Sequence, residues 1–334
     1  MRSLTARAAA VALAIVSLVR LSAAQSGAST QGAAFLLIPI GARSLSMGQA
    51  VAAEELGVES IWWNPAGLAR ADQREVAINH LEVFAGKGNA VSFLYPSSKL
   101  GVLAASIYIL DFGEIATADR GGGSGGGALL PRNFVYAATY ATTIGPNFNA
   151  GVTFKLVQFR IDCSGDCSGV PGGTNSTTTA VDLGAQYDFG ALLPLTLGLA
   201  VRHLGPKLQV NDREQADPLP TRLDVGASYR VVQIAKYSKD LELRLTGDLI
   251  DDLIEHPKFD SPTPHFGAAL SLRKRYHLRA GYAYDRADTT ETSGASVGLG
   301  LTTGGLNIDL ARPFNSIAAG SGQAPVYLSL RYQF

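Results

Sequence analysis

The feature that most constrains this chain is an alternation of apolar and polar residues, with a period of two, that recurs from Arg74 to the C-terminus. In the segment 241–249, LELRLTGDL, every leucine falls on one face of an extended strand, and Glu242, Arg244 and Asp248 fall on the other. Successive side chains of a strand point to opposite faces, whereas a helix repeats every 3.6 residues. The alternation therefore predicts a long series of β-strands.

The alternating segments number about fourteen, and each is roughly ten residues long, which is the length that a tilted strand needs to cross a bilayer. The predicted strands are 74–83, 88–96, 100–111, 133–144, 147–162, 177–189, 193–204, 220–232, 240–251, 263–273, 276–285, 293–303, 305–312 and 325–334.

The connections between these segments alternate in length. Those after odd-numbered strands are mostly long, such as the glycine-rich stretch 113–131, and those after even-numbered strands are short, such as 145–146 and the single Gly304. The exceptions are the longer 232–239 and the short 84–88. A soluble β-sandwich, the structural alternative, has no reason to keep its long loops at one end. Bacterial outer-membrane barrels do so, with short periplasmic turns and long external loops.

The polar faces of the predicted strands carry charges that a dry core excludes unless they are paired. A hydrated lumen, or ion pairing within the wall, accommodates them. The candidate lumen-lining residues are Arg222, Asp224, Arg230, Glu242, Arg244 and Asp248, with Asp182 and Asp309 on the same kind of face.

These features predict an all-β fold, a transmembrane antiparallel barrel of about fourteen strands formed by residues 74–334. The chain ends in PVYLSLRYQF, whose apolar face would be an aggregation-prone edge if it were unpaired. We expect this last strand to pair with the first and close the barrel. The alternating apolar residues that end in Tyr332 and Phe334 resemble the C-terminal assembly signal of outer-membrane proteins, which implies the barrel-assembly machinery as a partner.

The N-terminus predicts export. Arg2 and Arg7 precede an apolar run at 8–19, and Ser22-Ala23-Ala24 offers small residues at a cleavage site. We predict a signal peptide over residues 1–24, cleaved near Ala24, and hence a protein of the bacterial outer membrane in contact with its lipid. The alternative is an N-terminal membrane anchor, although the apolar run is shorter than a spanning helix.

Charge and cysteine content exclude some functions. The chain has 28 basic and 28 acidic residues, so nucleic acid is not an expected partner. Its five histidines are scattered, and neither a metal nor another cofactor is predicted. Its two cysteines, Cys163 and Cys167, lie four residues apart in a glycine-containing turn; a disulfide is our prediction for an exported protein, with free thiols as the alternative.

Residues 25–73 lack the alternation. They are rich in glycine and alanine, with helical tendencies around 45–56 and near 66–70. We predict that this segment is a plug (hatch) within the lumen; a periplasmic extension is the alternative.

One stretch of this segment, Gly41 to Ala69, carries a resemblance to a known family. It reads GARSLSMGQAVAAEELGVESIWWNPAGLA. The blocks GAR at 41–43, MG at 47–48 and WNPAGL at 63–68 resemble the N-terminal signature of the PorV/PorQ family of outer-membrane barrels, within the FadL-like group. EELGVES stands where that family has an Asp-rich step.

The resemblance implies a plug whose motif comprises Trp62, Trp63, Asn64, Pro65, Ala66 and Gly67. Asn64 is suited to cap the short helix that follows Pro65. The tryptophans either pack against the wall or line a path for an apolar ligand.

The resemblance also implies two functions. PorV-type members assist type IX secretion by passing secreted proteins to surface-attachment machinery, and this is our main prediction. FadL-type members let hydrophobic compounds such as long-chain fatty acids diffuse inward, and this is the alternative. An enzyme is not predicted: the G-x-S-x-G match at 294–298 lies within a strand rather than at a strand-to-helix turn.

Overall fold

The computed structural model describes most of the chain after residue 32. The described residues are 33–83, 86–118, 124–165, 175–190, 193–209, 216–232, 234, 238–253, 259, 262–284, 294–315 and 325–334. The predicted signal peptide, 1–24, lies outside them. Within these residues, no helix is both long enough and apolar enough to span a membrane.

The described chain is built almost wholly of strands. They are β1 (Glu75–Val83), β2 (Gly86–Ser97), β3 (Gly101–Asp111), β4 (Ile115–Ala118), β5 (Ser124–Ile144), β6 (Phe148–Gly165), β7 (Asn175–Asp188), β8 (Leu195–Leu204), β9 (Arg222–Arg230), β10 (Leu241–Asp252), β11 (Thr263–Leu272), β12 (Tyr276–Ala283), β13 (Gly294–Thr303), β14 (Leu306–Asn315) and β15 (Val326–Gln333).

Fourteen of these strands form a closed antiparallel barrel. Each pairs with the next along the chain, β3 pairs with β5, and β15 returns to pair with β1, from Glu75 opposite Gln333 to Glu82 opposite Val326. The predicted barrel and its closing strand are confirmed.

The further strand, β4, pairs with β5 outside the ring. The sequence predicts a loop over 113–131, but β4 and the first part of β5 form there an extension of the barrel wall. The glycine-rich sequence has no alternation that would have indicated these strands.

The two faces of the wall follow the sequence pattern. In β15, Val326, Leu330 and Tyr332 are exposed on the outer side, whereas Ser329 and Arg331 are buried on the inner side. Because antiparallel neighbours alternate in direction, the short connections at 145–147 and 273–275 fall at the same end of the barrel, which we call the short-turn end; the short β1–β2 connection falls at the opposite end.

The N-terminal segment, residues 33–71, contains only short helical pieces. Helix α1 is Ala42–Ser46 and α2 is Ser60–Trp63, and single 3-10 turns occur at Ala34–Leu37, Gly57–Glu59 and Pro65–Leu68. The helical tendency predicted over 45–56 is therefore wrong beyond residue 46. Gly48 and Gln49 have φ values of 62° and 64°, which end α1 in the left-handed region.

Candidate functional site

The N-terminal segment is held by hydrogen bonds to inward-facing side chains of distant strands. The Ala42 amide donates to Ser329 Oγ at 2.8 Å, and the Ala52 amide donates to Asp248 Oδ2 at 2.8 Å. The Val58 amide donates to Glu75 Oε1 at 2.8 Å. Because these acceptors lie on β15, β10 and β1, the segment is anchored to separate parts of the wall.

Glycines in the wall allow this close approach. A Cβ atom at Gly184 would lie 2.0 Å from Asn64 Oδ1, and one at Gly198 would lie 2.2 Å from the Ala52 carbonyl oxygen. Both distances are shorter than any real Cβ contact. This role is not among the predictions from the sequence, although a glycine at an inward strand position is a signal of close backbone approach.

The predicted motif has Asn64 at its centre. Asn64 Oδ1 accepts the Ala66 amide at 3.0 Å and so caps the 3-10 turn that begins at Pro65, as the sequence predicts. Its Nδ2 donates to the Ala52 carbonyl at 2.6 Å and, at 3.3 Å each, to the carbonyls of Ala185 and Leu199. One buried side chain thus joins the turn to the N-terminal segment and to two wall strands.

Gly67 completes the motif in a crowded position. An added Cβ would lie 2.7 Å from the Glu54 carbonyl oxygen and 2.7 Å from Ser60 Oγ. Because a larger residue would push the two parts of the segment away from each other, glycine is required here.

Trp62 and Trp63 are both buried but differ in their polar contacts. Trp63 Nε1 donates to the Ile40 carbonyl at 2.9 Å, and the Arg202 guanidinium lies 5.1 Å from its ring centre. Trp62 packs edge-on against Tyr108 with ring centres 5.9 Å apart. Its Nε1 has no hydrogen-bond partner among the described residues.

A cavity of about 20 Å³, which we call the aromatic cavity, lies beside the two tryptophans. Its lining is mostly apolar and includes Phe35, Leu36, Ile40, Trp62, Trp63 and Tyr108, with Arg202 and His203 as polar members. The tryptophans therefore both pack and border a space, so the two predicted roles are compatible.

A bulge in the wall brings two consecutive polar residues to this cavity. The β7–β8 register shifts between Val181 and Leu183, and His203 has φ 59°, so that both Arg202 and His203 are buried. His203 Nδ1 lies 3.3 Å from Lys155 Nζ, and Lys155 forms a fully buried ion pair with Asp182.

A second buried group of charges centres on Glu54 of the N-terminal segment. Its Oε2 accepts Arg43 at 3.3 Å and Arg244 at 3.0 Å, and its Oε1 accepts the Ser228 hydroxyl. Burial favours the neutral acid, but Arg244 and Arg43 outweigh it and hold the pKa of Glu54 below its ordinary value. Burial, opposed by Glu54, lowers the pKa of Arg43 to about 10.

The candidate lumen-lining residues point inward, and of the two settings expected for such charges, a hydrated lumen or ion pairing within the wall, several show the second. Asp182, Asp248 and Asp309 are at most 3% exposed. Asp309 pairs with Arg279 at 2.6 Å, for example, so ion pairs and backbone donors take the place of water.

The other candidate lumen-lining residues differ in their exposure and ion pairing. Asp224 pairs with Arg202 at 2.6 Å and Arg222 pairs with Asp252 at 3.3 Å. Arg230 and Glu242 are exposed and border a second cavity.

The C-terminal candidates lie on the outer surface. The Tyr332 and Phe334 rings are stacked with centres 5.9 Å apart, and both are exposed. The Phe334 backbone exchanges two hydrogen bonds with Arg74, at 3.0 and 3.2 Å.

The predicted disulfide remains a prediction. Cys163 is not a free cysteine, but Cys167 lies outside the described residues. Within the described ranges, no group of three or more histidine, cysteine, aspartate or glutamate residues has a geometry that would hold a metal ion.

Comparisons with known proteins give information about the fold. No protein-family model matches the chain, and no curated protein matches it. Among solved structures, the chain is similar to the Ralstonia pickettii toluene transporter TbuX, with 15% identity and a TM-score of 0.54 over 90% of this chain and 100% of that one.

Two further solved structures are similar over nearly their whole length. The CymD monoaromatic hydrocarbon channel has 14% identity and a TM-score of 0.57, over 89% of this chain and 98% of that one. A Pseudomonas aeruginosa FadL homologue has 12% identity and a TM-score of 0.50, over 92% of this chain and 99% of that one. The chain therefore has the fold of a FadL-like barrel, whereas nothing in these matches is specific to the PorV/PorQ family.

Proposed function

We propose that this protein is a bacterial outer-membrane channel for the passive uptake of hydrophobic compounds, with the N-terminal segment as its plug (hatch). The sequence predicts this function only as the alternative; its main prediction is assistance to protein secretion. The observation that carries it is the aromatic cavity beside Trp62 and Trp63 in a barrel with the fold of known hydrocarbon channels.

The outer face of the wall supports the proposed location. Large apolar side chains such as Leu299, Phe314 and Leu278 are more than half exposed there, which suits a hydrocarbon surrounding and would cause aggregation in water.

The size of the aromatic cavity indicates how passage would occur. A pocket for a small ligand usually measures about 300–1,000 Å³, so a cavity of about 20 Å³ is too small to hold one without movement. The wall strands are paired along their length, whereas the N-terminal segment has helical pieces of at most 5 residues. The segment is therefore the part that moves to admit a ligand.

The main prediction, assistance to protein secretion, gains no support from the comparisons. The neighbours with this fold are transporters and channels, and we therefore favour uptake over secretion and over enzymatic activity.

The two tryptophans allow a direct test, because they are the only two in the chain. Bromobenzene, an apolar aromatic probe whose heavy atom quenches at short range, is titrated into the detergent-purified protein. We expect saturable quenching. Linear quenching, equal to that of a free tryptophan derivative in the same micelles, would contradict the proposal.

An uptake measurement adds a matched pair of variants. Leu36→Phe fills the aromatic cavity and should reduce entry of labelled toluene into Gram-negative cells several-fold. Leu310→Phe, on the exposed outer face, makes the same change away from the cavity and should leave uptake unchanged. Equal uptake by the two variants, at equal membrane levels, would argue against this path.

A further inference from the structure

A second cavity, of about 260 Å³, lies at the short-turn end of the barrel and differs in chemistry from the aromatic cavity. Its lining includes Arg230 at the end of β9, Glu242 at the start of β10 and Lys274 in the β11–β12 turn. No residue borders both cavities. We call it the basic cavity.

The charges of its lining are strongly unequal. Six cationic side chains border it, against the two carboxylates of Glu54 and Glu242. The cationic residues are Arg43, Arg230, Arg244, Lys274, Arg279 and Arg331. Because a recess with low-dielectric walls concentrates the field of its charges, its interior favours an anion.

In the deep part of the basic cavity, two carboxylates are each shared by two arginines. Glu54 is shared by Arg43 and Arg244, and Asp309 is shared by Arg279 and Arg331.

Each guanidinium carries five N–H donors, and one shared carboxylate does not use all of those on two arginines. Arg331 also lies 4.0 Å from Glu59 and 3.9 Å from Glu75; like Asp309, these two residues do not border the cavity. The electrostatic repulsion among the cations contributes to the lowered pKa of Arg43, since Arg331, Arg279 and Arg244 all act in that direction.

The outer part of the basic cavity carries two cations without a carboxylate in ion-pair range. Neither Arg230 nor Lys274 has an acidic oxygen within 4.0 Å among the described residues, whereas the adjacent Arg273 pairs with Asp240 at 3.3 Å. Arg273 does not border the cavity. The β11–β12 turn thus places Arg273, which is paired with Asp240, outside the cavity. It places Lys274, which has no such partner among the described residues, at the opening.

We propose that the basic cavity binds a small oxyanion, either a carboxylate or a phosphate. Both groups accept paired N–H donors from arginine, and an anion at this position would lie among six cationic side chains, of which Arg230 and Lys274 have no carboxylate in ion-pair range among the described residues. The inference does not depend on the passage of hydrophobic compounds, since the two cavities have separate linings.

The test is calorimetric titration of the full-length mature protein in a non-ionic detergent with benzoate, inorganic phosphate and, as a neutral probe, benzyl alcohol. We expect saturable binding of at least one of the two anions, weakened by sodium chloride, and no binding of benzyl alcohol at this site. Binding of benzoate alone identifies an organic acid as the ligand class, and binding of phosphate identifies a phosphate group.

The double variant Arg230→Gln/Lys274→Gln removes two charges at the opening without breaking a buried ion pair, and should raise the Kd by about tenfold or more. The control Arg273→Gln removes one charge from the same turn and should change the Kd less than about twofold. An unchanged tryptophan emission spectrum verifies that each variant is folded. If neither anion binds at millimolar concentration, or if the double variant binds as the control does, the proposal is wrong.

Discussion

At the scale of single residues, glycine determines how closely the N-terminal segment approaches the wall. Gly184 faces Asn64, and Gly151 on the neighbouring strand faces Pro65, whose carbonyl carbon would lie 2.4 Å from an added Cβ. The segment's turn at Pro65 therefore lies directly on two backbones with no side chain between them.

We predict that Gly184→Ala displaces this turn, at a cost of about 1–3 kcal/mol, which is typical of an overpacked core. The measurement is the urea midpoint followed by tryptophan emission, since Trp62 and Trp63 adjoin the turn. Gly247→Ala is the control, because the nearest atom to its added Cβ is an ordinary 3.7 Å away. A Gly184→Ala midpoint equal to that of the control would show that the turn is not seated as described.

The buried carboxyl of Glu59 gives a second prediction at this scale. Neither of its oxygens has a hydrogen-bond partner among the described residues. Burial, opposed by Arg331 and assisted by Asp309, raises the pKa of Glu59 from 4.5 to about 7. The folded protein consequently retains the proton between about pH 4.5 and 7 while the unfolded chain releases it, so stability falls as the pH rises through that window.

For the native protein, we expect Glu59 to lower the free energy of unfolding by up to about 3 kcal/mol between pH 5 and 8. Glu59→Gln, which cannot ionise, should lack this part of the pH dependence. Glu55→Gln, an exposed change in the same segment, should retain it. The measurement is the urea midpoint at both pH values. If the midpoint changes equally between pH 5 and 8 in the native protein and in both variants, the assignment to Glu59 is wrong.

At the scale of elements, β15 combines two roles at the end of the chain. Its backbone closes the barrel against β1 and β14, and the Phe334 backbone continues the pairing with Arg74. Its exposed Tyr332 and Phe334 rings are free to contact lipid or another protein.

Deletion and substitution of Phe334 separate these roles. Deletion removes both the ring and the Arg74 hydrogen bonds, whereas Phe334→Ser removes only the ring. If the barrel-assembly machinery recognises the ring, both changes should lower the amount of protein in the outer membrane several-fold. The measurement is immunoblotting of membrane fractions. A normal amount of the Phe334→Ser variant in the outer membrane would contradict the role of this ring as an assembly signal. Phe314→Ser, at another exposed outer position, is the matched control.

At the scale of the whole molecule, the closed ring of fourteen strands has no unpaired edge from which unfolding by detergent can begin. We predict that the unheated protein remains folded in sodium dodecyl sulfate and migrates differently from a boiled sample in electrophoresis. Mass spectrometry of the same material should give Gln25 as the first residue. Identical migration before and after boiling would contradict the barrel, and an intact Met1 would contradict the signal peptide.

The barrel could be predicted from the sequence because its determinants are local. The alternation that places Leu245 outside and Thr246 inside is visible within one strand, and so are the turn residues between strands.

Contacts across the lumen could not be predicted in this way. Nothing near Glu54 in the sequence identifies Arg244 as its partner, and nothing near Lys155 identifies His203, whose inward position depends on a bulge. The basic cavity could not be predicted for the same reason, since its cations come from separate strands and turns.

The hydrogen bond between Ala42 and Ser329 has a consequence for the order of folding. It joins residues 287 positions apart, and it requires the last strand to be present before an early part of the chain can be fixed. Contacts at such sequence separation form slowly, because a long loop must close first. The part of the mature chain that is synthesised first is therefore among the last to reach its final position, and a protein halted before the docking of β15 should leave residues 33–71 open to added protease.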